Sequence, residues 1–203
     1  MGKNDMEKND RKVLLLSCCA PCSGAVLETL LAEGEEVAVF FFNPNIHPFE
    51  EYRKRRDENR RFAENLGIDF IEGDYRPKPW FEVIVGLEQE PERGRRCSAC
   101  FAYRLQVAAR LAAERGFNRL ASCLGISRWK DLAQVDECGR QAVDPYPDLH
   151  YWGRNWRKAG GAQRMMEVSR REGFYQQQYC GCIYSLEATN RRRQCRGLPA
   201  EEW

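Results

Sequence analysis

The sequence predicts an α/β fold: a parallel sheet flanked by helices, ending in a helical C-terminal part. Three observations predict it. Strand-sized apolar runs recur at Val13–Leu16, Val37–Phe42 and Ile68–Ile71, and the segments between them carry helical apolar spacing. Strand, helix, strand, helix, strand in that order is the βαβ pattern of a sheet covered by helices. The 203 residues suffice for one well-buried domain, and no stretch approaches the roughly 18 consecutive apolar residues of a membrane span.

The elements follow in order. Lys12–Ser17 reads as a short buried strand and residues 18–24 as a turn of small residues. Residues 25–32 read as a helix with Val26, Leu27, Leu30 and Leu31 on its apolar side and Gly34 as its C-terminal cap. Val37–Phe42 is a second strand, stopped by Asn43-Pro44-Asn45. A charge-rich helix from about 50 to 66 ends at Gly67, and Ile68–Ile71 is the third strand. Residues 79–87 form a short helix and 90–96 a polar loop. Residues 100–115 form a long helix carrying Phe101, Leu105, Ala108, Leu111 and Ala112. Residues 117–124 read as a strand and 131–143 as a helix. Residues 145–161, with two prolines and three glycines, read as a loop. Helices over 162–171 and 183–193 complete the C-terminal part. The expected organisation is a disordered leader over 1–11, a single α/β domain over 12–195 and a tail over 196–203. The leader has no apolar core, so it is not read as a secretory signal, and a cytoplasmic location is expected.

Ten cysteines and a net charge of only +2 set the chemistry. A chain that can build its own core, with no export signal, uses clustered cysteines as metal ligands or redox groups rather than as disulfide staples. Of the 32 basic residues 25 are arginine, with runs at 53–56, 60–61, 93–96, 154–158 and 191–193. Arginine forks match phosphate oxygens, so these runs suit either a nucleic-acid surface or a salt-bridged one.

Three cysteine clusters stand out. Cys18-Cys19-x-x-Cys22 lies between the first strand and a helix, where ligands collect in open α/β sheets and a helix N-terminus favours thiolate. Cys97-x-x-Cys100 opens the long helix, and its two sulfurs point to one side. Four sulfurs from these two clusters suit zinc or an iron–sulfur cluster. Cys180-Gly-Cys182 can close only a very small, strained disulfide ring, which points to a redox pair, with extra metal ligands as the other reading. Cys123, Cys138 and Cys195 stand alone and read as core or surface thiols. His47 and His150 are too isolated for a histidine site. Neither a dinucleotide-binding glycine loop nor a P-loop occurs.

Six motifs together resemble the QueH family of epoxyqueuosine reductases. They are Ser17-Cys-Cys-Ala-Pro-Cys22, Phe41-Phe-Asn-Pro-Asn-Ile46, Glu50-Glu-Tyr-Arg53, Gly73-Asp-Tyr75, Arg96-Cys-Ser-Ala-Cys-Phe101 and Tyr179-Cys-Gly-Cys-Ile-Tyr-Ser185. The resemblance implies a Rossmann-like sheet of the PP-loop/HUP type. It implies cobalamin-independent removal of the epoxide oxygen of epoxyqueuosine, the last step to queuosine at the tRNA wobble position. It implies a 4Fe–4S cluster on Cys18, Cys19, Cys97 and Cys100, and a redox-active pair at Cys180 and Cys182. A further mononuclear iron is also implied; the spare thiol Cys22, expected at the catalytic centre, and Asp74 are its candidate ligands. The expected partners are tRNA with a GUN-type anticodon and an external electron donor. Arginines near 53–61 and 191–193 are candidate phosphate contacts. The chain departs from the family's usual pattern at Ser122-Cys123 and at Trp129. An ATP-dependent PP-loop enzyme would want Ser-Gly-Gly-x-Asp-Ser after the first strand, where this chain has Ser17-Cys-Cys-Ala-Pro-Cys-Ser-Gly24. A zinc-stabilised RNA-binding module is the non-enzyme alternative.

Overall fold

The computed structural model describes residues 11–200. The expected leader falls almost wholly outside these residues, as does the end of the expected tail.

Strand β1 (Lys12–Ser17) forms where sequence reasoning puts it, and Val13–Leu16 are fully buried. Burying each such side chain stabilises the fold by about 1.5–3 kcal/mol. Helix α1 (Ala20–Ala32) follows, then β2 (Glu36–Phe41), α2 (Phe49–Asn65), β3 (Asp69–Glu72) and α3 (Pro77–Val83). Helix α4 (Arg95–Glu114), β4 (Arg119–Ser122), a 3-10 turn (Cys123–Ile126) and α5 (Leu132–Val143) come next. The chain then makes β5 (His150–Tyr151), α6 (Gly161–Arg171) and α7 (Ile183–Gln194).

All five strands pair in parallel, in the order β3-β2-β1-β4-β5. Alternate residues of the central strands feed two cores. Val13, Leu15, Val37 and Val39 pack with α1, Phe62 of α2 and Val168 of α6. Leu14, Leu16, Ala38 and Phe40 pack with Phe101, Leu105 and Ala108 of α4 and Val135 of α5. Among the described residues no helix is long and apolar enough to cross a membrane.

Several boundaries differ from expectation; three differences stand out, and two of them matter for the site. Helix α1 starts at Ala20, not residue 25, because Pro21 lies in its first turn, where a missing N–H costs nothing. Cys22 is therefore helical. Helix α4 starts at Arg95, so Cys97 and Cys100 lie within its first two turns. Strand β5 lies inside the segment read as loop; its two residues are too few to show a pattern and are ordered by pairing with β4.

Candidate metal centre and dithiol

The strand order reverses at β1, which returns to β2 on one side and meets β4 on the other. Ligands of open α/β sheets bind at such a switch point, beyond the carboxyl ends of the strands. Both strands run into cysteine there. Cys18 follows β1, Cys123 follows β4, and their sulfurs lie 3.8 Å apart. Cys18 Sγ is also 3.8 Å from Cys19 Sγ. Cys19 is the extended N-cap residue of α1 and accepts from Cys22 N at its carbonyl, 3.2 Å away. The sulfurs of Cys18, Cys19 and Cys22 all lie within 4.8 Å of one another, a spacing that could hold a metal ion.

Thiols so placed cannot all ionise together. Hydrogen bonding from Cys123, Cys19 and Cys22 holds Cys18 well below the usual cysteine value, and burial opposes it. The same contacts push Cys22 and Cys123 well up and Cys19 to about 12. Gln177 Nε2 donates to Cys19 Sγ at 3.0 Å.

A buried polar floor supports this group. Ser17 and Ser23 hydroxyls donate to Asn59 Oδ1 at 2.6 and 3.0 Å. Asn43 Nδ2 donates to the Ser17 carbonyl at 2.9 Å. Arg104, only 2% exposed, donates to Asn43 Oδ1 at 2.6 Å and to the Phe42 carbonyl at 3.2 Å. No carboxylate of the described residues pairs with it. Its charge instead favours the thiolate forms of Cys18 and Cys100.

Cys97 and Cys100 line one cavity together with Cys180, Cys182 and Arg104. Burial pushes both α4 thiols up. Arg93 N donates to Cys97 Sγ at 3.3 Å. The buried Trp80 indole N–H has no well-formed partner, and its influence falls on Cys100, favouring the thiolate. The structure thus brings all three cysteine clusters to one end of the sheet.

Cys180 and Cys182 sit on irregular chain before α7, as free thiols. Gly181 has φ +127°, and a Cβ there would meet Ile46 Cγ1 at 2.9 Å, so only glycine fits between them. His47 N donates to the Gly181 carbonyl at 2.8 Å. Arg55 donates to the Cys180 and Tyr179 carbonyls at 2.9 and 3.1 Å, while its other face pairs with Glu51 at 2.6 Å. Lys130 Nζ donates to Cys180 Sγ at 2.6 Å. Burial pulls the Lys130 ammonium down, but the Cys180 sulfur overrides this and leaves it above the ordinary lysine value. Burial, then Cys180, pushes Cys182 up to about 12.

Two expectations are corrected. Asp74 is not delivered to the cysteines: its side chain is 76% exposed and pairs with Arg76 at 3.2 Å. The metal-capable group among the described residues holds three sulfurs and no carboxylate. Arg55, inside the run read as a phosphate surface, is buried and clamps the Cys180 loop instead. Cys138 is a core thiol and Cys195 is exposed, as read. Sequence reasoning missed Arg104, Gln177 and the contacts of Cys123, Lys130 and Arg55. Each contact spans at least 50 positions, beyond any local pattern.

Comparisons with known proteins give the family and the fold. The family described as epoxyqueuosine reductase QueH matches residues 13–188. A curated protein named epoxyqueuosine reductase QueH from Acinetobacter baylyi is 55% identical over 195 residues, covering 96% of this chain and 89% of that one. The Haemophilus influenzae protein of the same name is 53% identical, covering 95% and 78%. The Thermotoga maritima one is 30% identical, covering 86% and 90%. Among solved structures, the U34-tRNA thiolase NcsA of Methanococcus maripaludis, with its [4Fe-4S] cluster, superposes with a TM-score of 0.57 at 17% identity, covering 96% of this chain and 70% of that one. The shared Rossmann-like sheet is the PP-loop/HUP-like fold.

Proposed function

The chain belongs to the QueH family of epoxyqueuosine reductases, and from that premise we propose how its cysteines divide the reaction. The activity is epoxyqueuosine reduction. We take the substrate as the epoxyqueuosine nucleotide in the anticodon loop of tRNA. Two electrons and two protons remove the epoxide oxygen as water and leave the alkene of queuosine.

Cys18, Cys19, Cys97 and Cys100 hold a 4Fe–4S cluster in this proposal. The donor set supports it, since all four are thiols at two helix starts. The surroundings support it too. Arg104 is a buried cation without a carboxylate, and Trp80 keeps a buried donor without a well-formed partner, as an anionic thiolate centre requires. Such a cluster, when bound, supplies electrons one at a time. Cys22 is the spare thiol beside it. The expected second iron gains no ligand from Asp74, and the proposal proceeds without it.

Cys180 and Cys182 form the two-electron pair. The reduced pair gives up two electrons and forms one S–S bond, two protons leave with the epoxide oxygen as water, and an external donor restores the reduced pair. Lys130 holds a proton at Nζ against Cys180 Sγ. Arg55, His47 and Gly181 fix the loop that presents both sulfurs.

The observation that carries this reading is the single cavity lined by Cys97, Cys100, Cys180 and Cys182. Its test is anaerobic purification with iron, sulfide and zinc analysis, followed by assay on tRNA carrying epoxyqueuosine with a low-potential reductant. A brown, iron-loaded, active protein is expected. A colourless zinc protein removes the cluster, and full turnover in Cys180→Ser removes the dithiol.

A further inference from the structure

The proposal above brings one nucleotide to the cysteines and leaves its neighbours in the loop without a partner. The segment between the 3-10 turn and α5 offers one. Lys130 turns inward, with Nζ 2.6 Å from Cys180 Sγ. The preceding residue, Trp129, turns outward and is 66% exposed, the most exposed aromatic side chain among the described residues. The Arg128 guanidinium lies over its ring, 4.7 Å from the centroid.

The backbone that carries this indole is clamped to the site. Arg93, a non-glycine residue at φ +67°, donates through Nε to the Trp129 carbonyl and through Nη2 to the Arg128 carbonyl, both at 3.1 Å. The backbone N–H of the same residue donates to Cys97 Sγ at 3.3 Å. Gln134 Nε2 donates to the Arg93 carbonyl at 3.0 Å and to Ser98 Oγ at 2.7 Å. Trp129 is therefore tied to Cys97 through one arginine and to Cys180 through the next residue in the chain. Phe49, the other exposed aromatic among the described residues, packs instead against Tyr52 and Tyr75.

The chemistry of the patch selects its ligand. An isolated, exposed indole backed by the Arg128 guanidinium is the combination that stacks a base and reaches its backbone. A protein-docking face would instead surround the indole with further apolar residues. A platform already ordered before binding loses little entropy when a base lands on it.

We infer that Trp129, backed by Arg128, is a stacking platform on the rim of the cysteine cavity for the unpaired nucleobase flanking the modified nucleotide. This rests on the reading that tRNA is the substrate, but not on the cluster or the dithiol.

The test is equilibrium binding of the full-length, anaerobically purified protein to an unmodified anticodon stem–loop RNA, measured across a salt series. Trp129→Ala is expected to weaken binding about tenfold, while Trp129→Phe keeps most of the affinity. The slope of log affinity against log salt stays unchanged in Trp129→Ala and falls by about one in Arg128→Gln. The side chain is exposed, so thermal stability should match wild type in both Trp129 variants. Unchanged affinity in Trp129→Ala overturns the inference. So does an equal loss with a base-paired duplex of the same length, which has no unpaired base to stack. A wild-type protein that binds no anticodon RNA defeats the tRNA reading itself, and that outcome is distinct from both.

Discussion

Two cysteine regions lie at the same end of the sheet, and different physics positions them. Cys18 and Cys19 continue β1, the central strand, whose neighbours on both sides pair with it in parallel. Moving them means breaking the sheet. Cys180 and Cys182 lie on irregular chain, held by separate long-range hydrogen bonds from Arg55, His47 and Lys130. Regular structure gives one rigid geometry; single clamps give a position that can be released. The first suits a permanently bound centre, and the second suits sulfurs that must alternate between thiol and disulfide.

The largest expected effect separates the two regions outright. Cys18→Ser and Cys180→Ser should both lose turnover of epoxyqueuosine tRNA. Only Cys18→Ser should also lose the visible absorbance and the iron. Loss of iron in Cys180→Ser would break the division, because Cys180 would then belong to the metal centre.

The same contrast governs what could be read in advance. The Cys18–Cys22 and Cys97–Cys100 groups are legible because strand ends and helix starts are local events, marked by an apolar run, Pro21 and short spacing. The start of α4 hides because Arg95, Arg96 and Ser98 carry no apolar period. Cys123 gives no signal alone; it becomes part of the site only because β4 lies beside β1. Arg55 looks like surface charge, and its burial follows from Glu51 one turn before it and from a loop 125 positions away.

The next effect tests the clamp. Arg55→Met leaves Glu51 buried without its cation; their side chains are 1% and 6% exposed. Breaking a buried pair this way costs about 3–5 kcal/mol, a fall in melting temperature on the order of 10 °C for a chain of this size. Adding Glu51→Gln should recover part of it. A surface-like loss of a few tenths would show that Arg55 does not hold the loop. A smaller effect follows at Gly181. Alanine there adds strain of about 1–3 kcal/mol at φ +127°. It should lower turnover while leaving the iron content at the wild-type level.

The smallest effect concerns the charge contact between Lys130 and Cys180. The folded value of Lys130 lies above the ordinary one, as Cys180 outweighs burial. A group raised in this way contributes stability that is fully present while both states hold the proton. That contribution declines once the unfolded lysine begins to lose it, above about pH 10.4. The stability difference between wild type and Lys130→Met should therefore shrink as pH rises above about 10.4. A difference that instead grew with pH would mean that burial, not the Cys180 sulfur, dominates Lys130. The loop would then be held by Arg55 and His47 alone.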